Sequence, residues 1–447
     1  MLSSVVATFR TPELRKKIFF VLFILVLYRL GATLPSPGVD FREINRCVDA
    51  AAQGDSAQIY SLINMFSGGA LLQLSVFAIG IMPYITALII VQLLTVVIPR
   101  FEQLRKEGQS GQAKMTQYTR YLTVALALLQ STGIVALAAS GNLLPTSGPD
   151  CDPQAILHDR ENLMVLIIMV LVMTAGACIV MWFGELITER GVGNGMSLLI
   201  FAGIAARLPA EGRNILNSRG GVIFGLVCLA ALIILLAVVF IEQGQRRVPV
   251  QYAKRMVGRK MYGGSSTYIP IKVNTAGVIP VIFASSLLYI PQLVISLTQG
   301  GDTSDGTGWR TWIQSNLVDP GSVWHIVIYF LLIIFFTYFY VAVTFNPEER
   351  ADDMKRYGGF IPGIRPGKPT ADYLSYVLSR ITLPGSLYLG IIAILPNLFL
   401  EIGNGNSEVA NLPFGGTALL IMVGVGLDSL KQINSQLMQR KYEGFLK

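Results

Sequence analysis

Charge is scarce in this 447-residue sequence, where Asp, Glu, Lys and Arg make up 14% of residues, against about 25% in an average soluble domain. With 52% hydrophobic residues and a mean hydropathy of +0.56, the chain has too little polar side chain to cover a water-soluble globule of this size. Histidine and cysteine are rarer still. His158 and His325 have no carboxylate or cysteine partners nearby in sequence, and none of the four cysteines has the paired spacing of a zinc site, so no metal is expected. Also missing are a glycine-rich phosphate loop ending in lysine, a nucleophile elbow and a metalloprotease helix motif. Together these absences speak against an enzyme, and no catalytic residue or cofactor is expected.

Long apolar runs are abundant. An α-helix rises about 1.5 Å per residue, so about twenty apolar residues cross a hydrocarbon core of roughly 30 Å. Ten such stretches are read at 18–34, 75–98, 119–140, 162–183, 192–207, 221–241, 274–294, 323–345, 380–400 and 413–430. The first follows Arg15, Lys16 and Lys17 and runs on into Leu34-Pro35-Ser36-Pro37 without a small-residue cleavage site, which reads as a retained span. The expected fold is an all-α polytopic membrane protein of about ten transmembrane helices. Few ionisable side chains fall well inside the runs, whereas proton-coupled transporters place acids or histidines at that depth.

Lysine and arginine set the orientation. With the N-terminus in the cytoplasm, 27 of the 35 basic residues fall on that side, and an even number of spans returns the C-terminus there too. Two loops carry more than orientation requires. Residues 242–273 hold seven basic residues, among them Arg246, Arg247, Lys254, Arg255, Arg259 and Lys260, and 346–380 mixes acids and bases around a Gly- and Pro-rich turn. Loops of this length and turn chemistry suit docking of a cytosolic partner. Cys47 and Cys151 fall on the outer, oxidising side, where they either form a bridge or remain two thiols; a bridge needs Cα atoms within about 7 Å.

Two apolar pairs at helical spacing stand beside breakers: Ile81 and Ile85 around Gly80 and Pro83, and Met196 and Ile200 after Gly191-Val192-Gly193-Asn194-Gly195. Alone they fit lipid-facing or core positions as readily as a pore.

Seven motifs in order resemble bacterial SecY. They are Leu34–Asp40, Met65–Leu71, Gly184–Gly191, Lys272-Val273-Asn274 with Gly277–Pro280, Phe345-Asn346-Pro347, Gly359–Gly367 and Gly415–Ile421. The resemblance covers essentially the whole chain. It implies two pseudo-symmetric inverted halves around a central pore, residues 1–207 and 208–447, with the break near 207–221; an odd number of spans per half inverts the second half. It implies a pore ring of Ile81, Ile85, Met196, Ile200, Ile282 and Ile421. A plug near 60–71 is implied at Leu62, Ile63, Asn64, Met65, Phe66, Ser67, Gly68 and Gly69. A lateral gate is implied at Thr86, Gln130, Ser286 and Ile290, where interhelical hydrogen bonds between polar residues are expected. A docking surface for a motor or ribosome is implied at Arg247, Arg255 and Arg365.

The implied function is a protein-conducting channel that exports unfolded preproteins across the bacterial plasma membrane and passes membrane proteins sideways into it. The implied partners are SecE and SecG subunits, the SecA motor ATPase, the ribosome, signal-bearing preproteins and membrane lipids. Two rivals stand beside this reading. A secondary transporter would show polar substrate groups at discontinuous midplane helices, and an intramembrane hydrolase would need a serine or aspartate pair facing water.

Overall fold

A computed structural model describes residues 11–40, 42–44, 47, 69–71, 73–139, 157, 162–252, 255–257, 260–262, 266–298, 312–318, 322–402 and 416–443. The described chain is mostly helical. In order it forms α1 (Pro12–Thr33), α2 (Met82–Val97), α3 (Pro99–Lys106), α4 (Gln109–Ala139), α5 (Leu163–Arg190) and α6 (Gly195–Gln243). Four strands follow: β1 (Gln245–Tyr252), β2 (Arg255–Val257), β3 (Lys260–Tyr262) and β4 (Ser266–Lys272). Then come α7 (Ile279–Thr298), α8 (Val323–Thr344), α9 (Pro347–Arg356), β5 (Gly359–Phe360), α10 (Lys368–Ile402) and α11 (Gly416–Glu443).

Local chemistry fixes most of the helix starts. Asn162, Asn194 and Asn346 cap α5, α6 and α9, each side-chain oxygen accepting a backbone N–H two residues on, at 3.3, 3.1 and 3.2 Å. Proline occupies the first turn of α1, α2, α3 and α9, where its missing N–H is not needed. The expected span at 75–98 is therefore shorter as a helix. Residues before Met82 form turns, with Leu74 at φ 45° and Gly80 at φ 60°, and α3 leaves α2 at 100° across Ile98.

By length and hydropathy alone, three helical stretches among the described residues can cross a membrane, Leu163–Arg190, Val323–Arg356 and Lys368–Leu395, or four with the bent α2–α3 pair. Exposed apolar side chains such as Phe23, Leu229, Phe240, Leu331 and Phe335 coat the outside of α1, α6 and α8. That surface suits lipid, not water.

Instead of a loop between the expected fifth and sixth spans, the structure has one helical element of 49 residues. Drawn straight it would be about 73 Å long. Its two ends are much closer than that. Gly193, just before α6, donates its N–H to Gln432 Oε1 at 2.9 Å. Gly244, just after it, accepts from Val273 N–H at 3.0 Å, and the neighbouring Lys272 reaches Asp428 Oδ1 at 3.1 Å. Asp428 and Gln432 are one turn apart on α11, so this chain of contacts spans no more than about 40 Å at full stretch. The element must fold back on itself. Its apolar arms are Gly195–Pro209 and Val227–Gln243, and Pro209 leaves the carbonyl of Ala205 without its helical donor at one end of the stretch between them.

The all-α expectation needs one correction, because the two basic loops build sheets. β4, β1 and β5 form a three-stranded antiparallel sheet in that order, and β2 pairs with β3 as a separate ribbon. Alternation in β1 buries Val248 and Val250 and exposes Arg247, Pro249 and Gln251. The buried face joins Ile271, Met354, Ile361 and Leu374 in an apolar cluster at the base of α8 and α10. A second cluster gathers Ile44, Cys47, Leu74, Ile79, Ile134 and Met173. The largest runs through α1, α2, α5, α6, α7, α8, α10 and α11.

Candidate functional site

The largest cluster contains the residues singled out at helical spacing. Ile81, Ile85, Ile200, Ile282 and Ile421 are all buried within it, and Met196 packs against it half-buried. They come from four elements, the start of α2, the first turns of α6, the start of α7 and the first turns of α11. Ile81 precedes Met82, yet Ile85 N–H already bonds its carbonyl at 3.2 Å, so the pair shares one face of a single turn.

Close backbone approach sets α6 against α5. A Cβ on Gly195 would lie 1.9 Å from the carbonyl oxygen of Gly184, and a Cβ on Gly184 would lie 2.3 Å from the sulfur of Met196. Only glycine at both positions lets the thioether lie on α5. Met196 is thereby held by a neighbouring backbone, and Ile200, one turn on, is buried at 4% exposure.

The expected gate residues divide. α7 packs against both α2 and α4. Thr86 donates its hydroxyl to Met82 O at 3.0 Å and Ser286 donates to Ile282 O at 2.8 Å. Each hydroxyl has one proton, so both Thr86 and Ser286 donate within their own helix and neither donates across to a neighbouring one. Gln130 is half-buried on α4. The side chain of Ile290 lies outside the described residues, as do plug residues Leu62, Ile63, Asn64, Met65, Phe66, Ser67 and Gly68. Gly69 is described, at φ 97°.

Arg247 and Arg365 are both exposed and belong to one substructure. Arg247 lies on β1 with its guanidinium 4.8 Å from the Tyr268 ring centroid on β4, and Arg365 follows β5, which pairs with β1 through Gln251 and Tyr252. Thr370 donates its hydroxyl to the Arg365 carbonyl at 2.9 Å, closing the turn that presents it. Arg255 is on β2, its side chain outside the described residues.

Sequence reading passed over a polar cluster beside the end of α6. Glu242, buried at 8% exposure, accepts a hydrogen bond from the amide of Asn274, which also donates to Gly277 O at 3.1 Å. Burial pushes the Glu242 carboxyl above its ordinary range, against the opposing pull of Asn274 and Lys272. Burial also pushes Lys431 down, helped by Lys272 nearby. The available signal was an acid one residue beyond an apolar run. A second omission is Arg120 on α4, which grips Glu185 on α5 with two hydrogen bonds of 2.9 and 2.8 Å. Cys47 is buried and disulfide-bonded, while Cys178 and Cys228 are free thiols. Cys151 lies outside the described residues.

The SecY family model matches residues 75–430. The chain belongs to the SecY family. It is 68% identical over 448 residues to the protein translocase subunit SecY of Mycobacterium tuberculosis, with 100% of both chains covered. Among solved structures it is similar to a SecY whose plug domain stabilises the closed state of the translocation channel and maintains a membrane seal. That match has a TM-score of 0.59 at 20% identity and covers 93% of this chain and 91% of the other. Sec61 in the canine ribosome–channel complex from the endoplasmic reticulum matches at TM-score 0.55 and 18% identity, with the same coverage. At these identities the structural likeness speaks for the SecY fold alone.

Proposed function

We propose that this chain is the channel-forming subunit of a bacterial protein translocase in the plasma membrane, passing unfolded preproteins across it and membrane segments sideways into lipid. The observation that carries the reading is the placement of Ile81, Ile85, Met196, Ile200, Ile282 and Ile421, four elements from both halves of the sequence, in or against one apolar cluster in a member of the SecY family. Such residues form a constriction that seals by excluding water and ions. It deforms around an extended chain because methyl and thioether groups make no directional bonds. The seal is indifferent to cargo sequence.

Ten spans with both termini in the cytoplasm place the sheet of β1, β4 and β5 on that face. Exposed Arg247 and Arg365 then meet a SecA-type motor or ribosome, an arginine fork suiting protein carboxylates and RNA phosphate alike. Energy comes from the bound motor, from translation or from the membrane potential. SecE- and SecG-type subunits complete the complex, and residues 60–71 act as the plug.

Reconstitution tests the function directly. Vesicles holding the chain with SecE- and SecA-type partners should import an unfolded preprotein, and failure with active partners would overturn the reading. Ile421→Ser and Ile85→Ser test the constriction. Each should raise resting ion conductance about tenfold, equivalent to about 1.4 kcal/mol off the permeation barrier, and relax the demand for a strong signal sequence. Unchanged conductance would remove these residues from the seal.

A further inference from the structure

One face of α11 changes character along its length. Ile421 and Val425 are buried in the main apolar cluster, and the same face continues through Asp428, Gln432 and Gln436 at spacings of three and four residues. Each polar member holds a different segment of the chain. Asp428 Oδ1 accepts from Lys272 Nζ at 3.1 Å, and Lys272 ends β4, from which the chain runs directly into α7 and Ile282. Gln432 Oε1 accepts the backbone N–H of Gly193 at 2.9 Å, and Gly193 leads into α6 with Met196 and Ile200. Gln436 Oε1 accepts from Lys17 Nζ on α1 at 3.3 Å.

The fit at Gly193 is specific in shape as well as polarity. Its φ of 94° is a conformation that side-chain-bearing residues resist, and a Cβ there would lie 3.1 Å from Ser429 Oγ. The turn therefore lies directly on α11. These contacts are largely solvent-exposed, with Lys272 and Asp428 side chains 38% and 62% exposed. Exposed pairs contribute little to net stability. Placement is what such contacts can supply.

We propose that the polar face of α11 from Asp428 to Gln436 is a brace that sets the register of the constriction. It fixes the segment entering α6 and the segment entering α7 against the helix that itself carries Ile421. The residues are positioning residues and touch no cargo. This inference rests on the constriction reading above. It adds that closure depends on hydrogen bonds about two to four helical turns along α11 from Ile421. The members of the ring are contributed by segments far apart in sequence, and the brace is where the α6 and α7 entries meet a single helix.

The test measures resting ion conductance of the full-length chain, purified with its co-purifying subunits, in planar bilayers. The variants are Asp428→Lys, Lys272→Asp, the double exchange, Gln432→Leu and Gln432→Glu, with Ile421→Ser alongside. The brace predicts severalfold higher conductance for Asp428→Lys and Gln432→Leu. It predicts return toward the wild-type level in the double exchange, and near-wild-type conductance for Gln432→Glu, which keeps the acceptor for Gly193. Membrane abundance and melting in detergent should stay close to wild type throughout. If Ile421→Ser leaks while Asp428→Lys and Gln432→Leu do not, the brace is overturned and the constriction stands. Should Ile421→Ser fail to leak, both fall. Leak in Asp428→Lys and Gln432→Leu that neither the exchange nor Gln432→Glu relieves would mark general damage and also overturn the brace.

Discussion

Glu242 illustrates how a single residue ties membrane helix to aqueous loop. It lies in the last turn of an apolar arm, is buried, and meets Asn274 in the turn that leads into α7. Lys272, Asp428 and Lys431 are the charged groups acting on it, and burial outweighs them to raise its pKa. A carboxyl whose pKa is raised on folding binds its proton more tightly in the native state. Between the ordinary carboxylate range, near pH 4, and the raised value, the native state therefore holds more protons than the unfolded one, and stability falls as pH rises. Glu242→Gln keeps an acceptor for Asn274 and removes the titration. Melting of the two proteins in detergent from acid to neutral pH should show the wild type losing stability relative to the variant. Parallel curves would mean that the buried carboxyl is not the source.

At the scale of elements, helix positions were more legible than their ends. Apolar runs located α8 to within a residue, and located α1 and α5 while missing the start of α1 by six residues and the end of α5 by seven, because those helices run on into charged turns at Pro12–Lys17 and Glu185–Arg190 that a hydropathy window cuts off. The start of α2 was missed by several residues because Leu74, Gly80 and Pro83 act through backbone geometry that a hydropathy window does not register. Strands in the basic loops were missed for a related reason. β1 carries only two buried residues, Val248 and Val250, after Arg246 and Arg247, and β5 is two residues long, so their pairing is made by tertiary contact and not by local pattern. The ring residues were named through family resemblance, since Ile81 and Ile85 at helical spacing describe any packed helix.

That sheet has a consequence for Arg365. Because β5 pairs with β1, the two loops are joined in one sheet, and in the proposed docking role Arg365 and Arg247 would meet a partner together. Reversing Arg365 to Glu should lower motor-driven export by at least about tenfold, the size of effect left by losing one or two charge-assisted hydrogen bonds. Resting conductance and the amount of protein in the membrane should not change. Export at the wild-type rate would remove Arg365 from docking.

For the molecule as a whole, the decisive element is the one from Gly195 to Gln243. Its length of about 73 Å is more than twice the roughly 30 Å of a hydrocarbon core, and one straight crossing would leave its ends on opposite sides. The contacts of Gly193 with Gln432 and of Lys272 with Asp428 bring both ends to neighbouring turns of α11. An element whose ends meet must cross twice or not at all, and the proposed topology assigns one crossing to each of the two shorter apolar arms, Gly195–Pro209 and Val227–Gln243, on either side of the 210–226 stretch. In that topology Arg213 and Arg219 between the arms would face the outer side, where they are few enough not to oppose the positive-inside bias. Single cysteines at Asn194, Asn217 and Gln245, introduced with the native free thiols Cys178 and Cys228 replaced by alanine, test this with a membrane-impermeant maleimide on oriented cells and inverted vesicles. Asn217→Cys should react only from outside, and Asn194→Cys and Gln245→Cys only from the cytoplasmic side. Opposite accessibility of 194 and 245 would mean a single crossing and an odd number of spans, and would carry both basic loops, joined in one sheet and holding Arg247 and Arg365, to the outer side, away from any cytosolic partner.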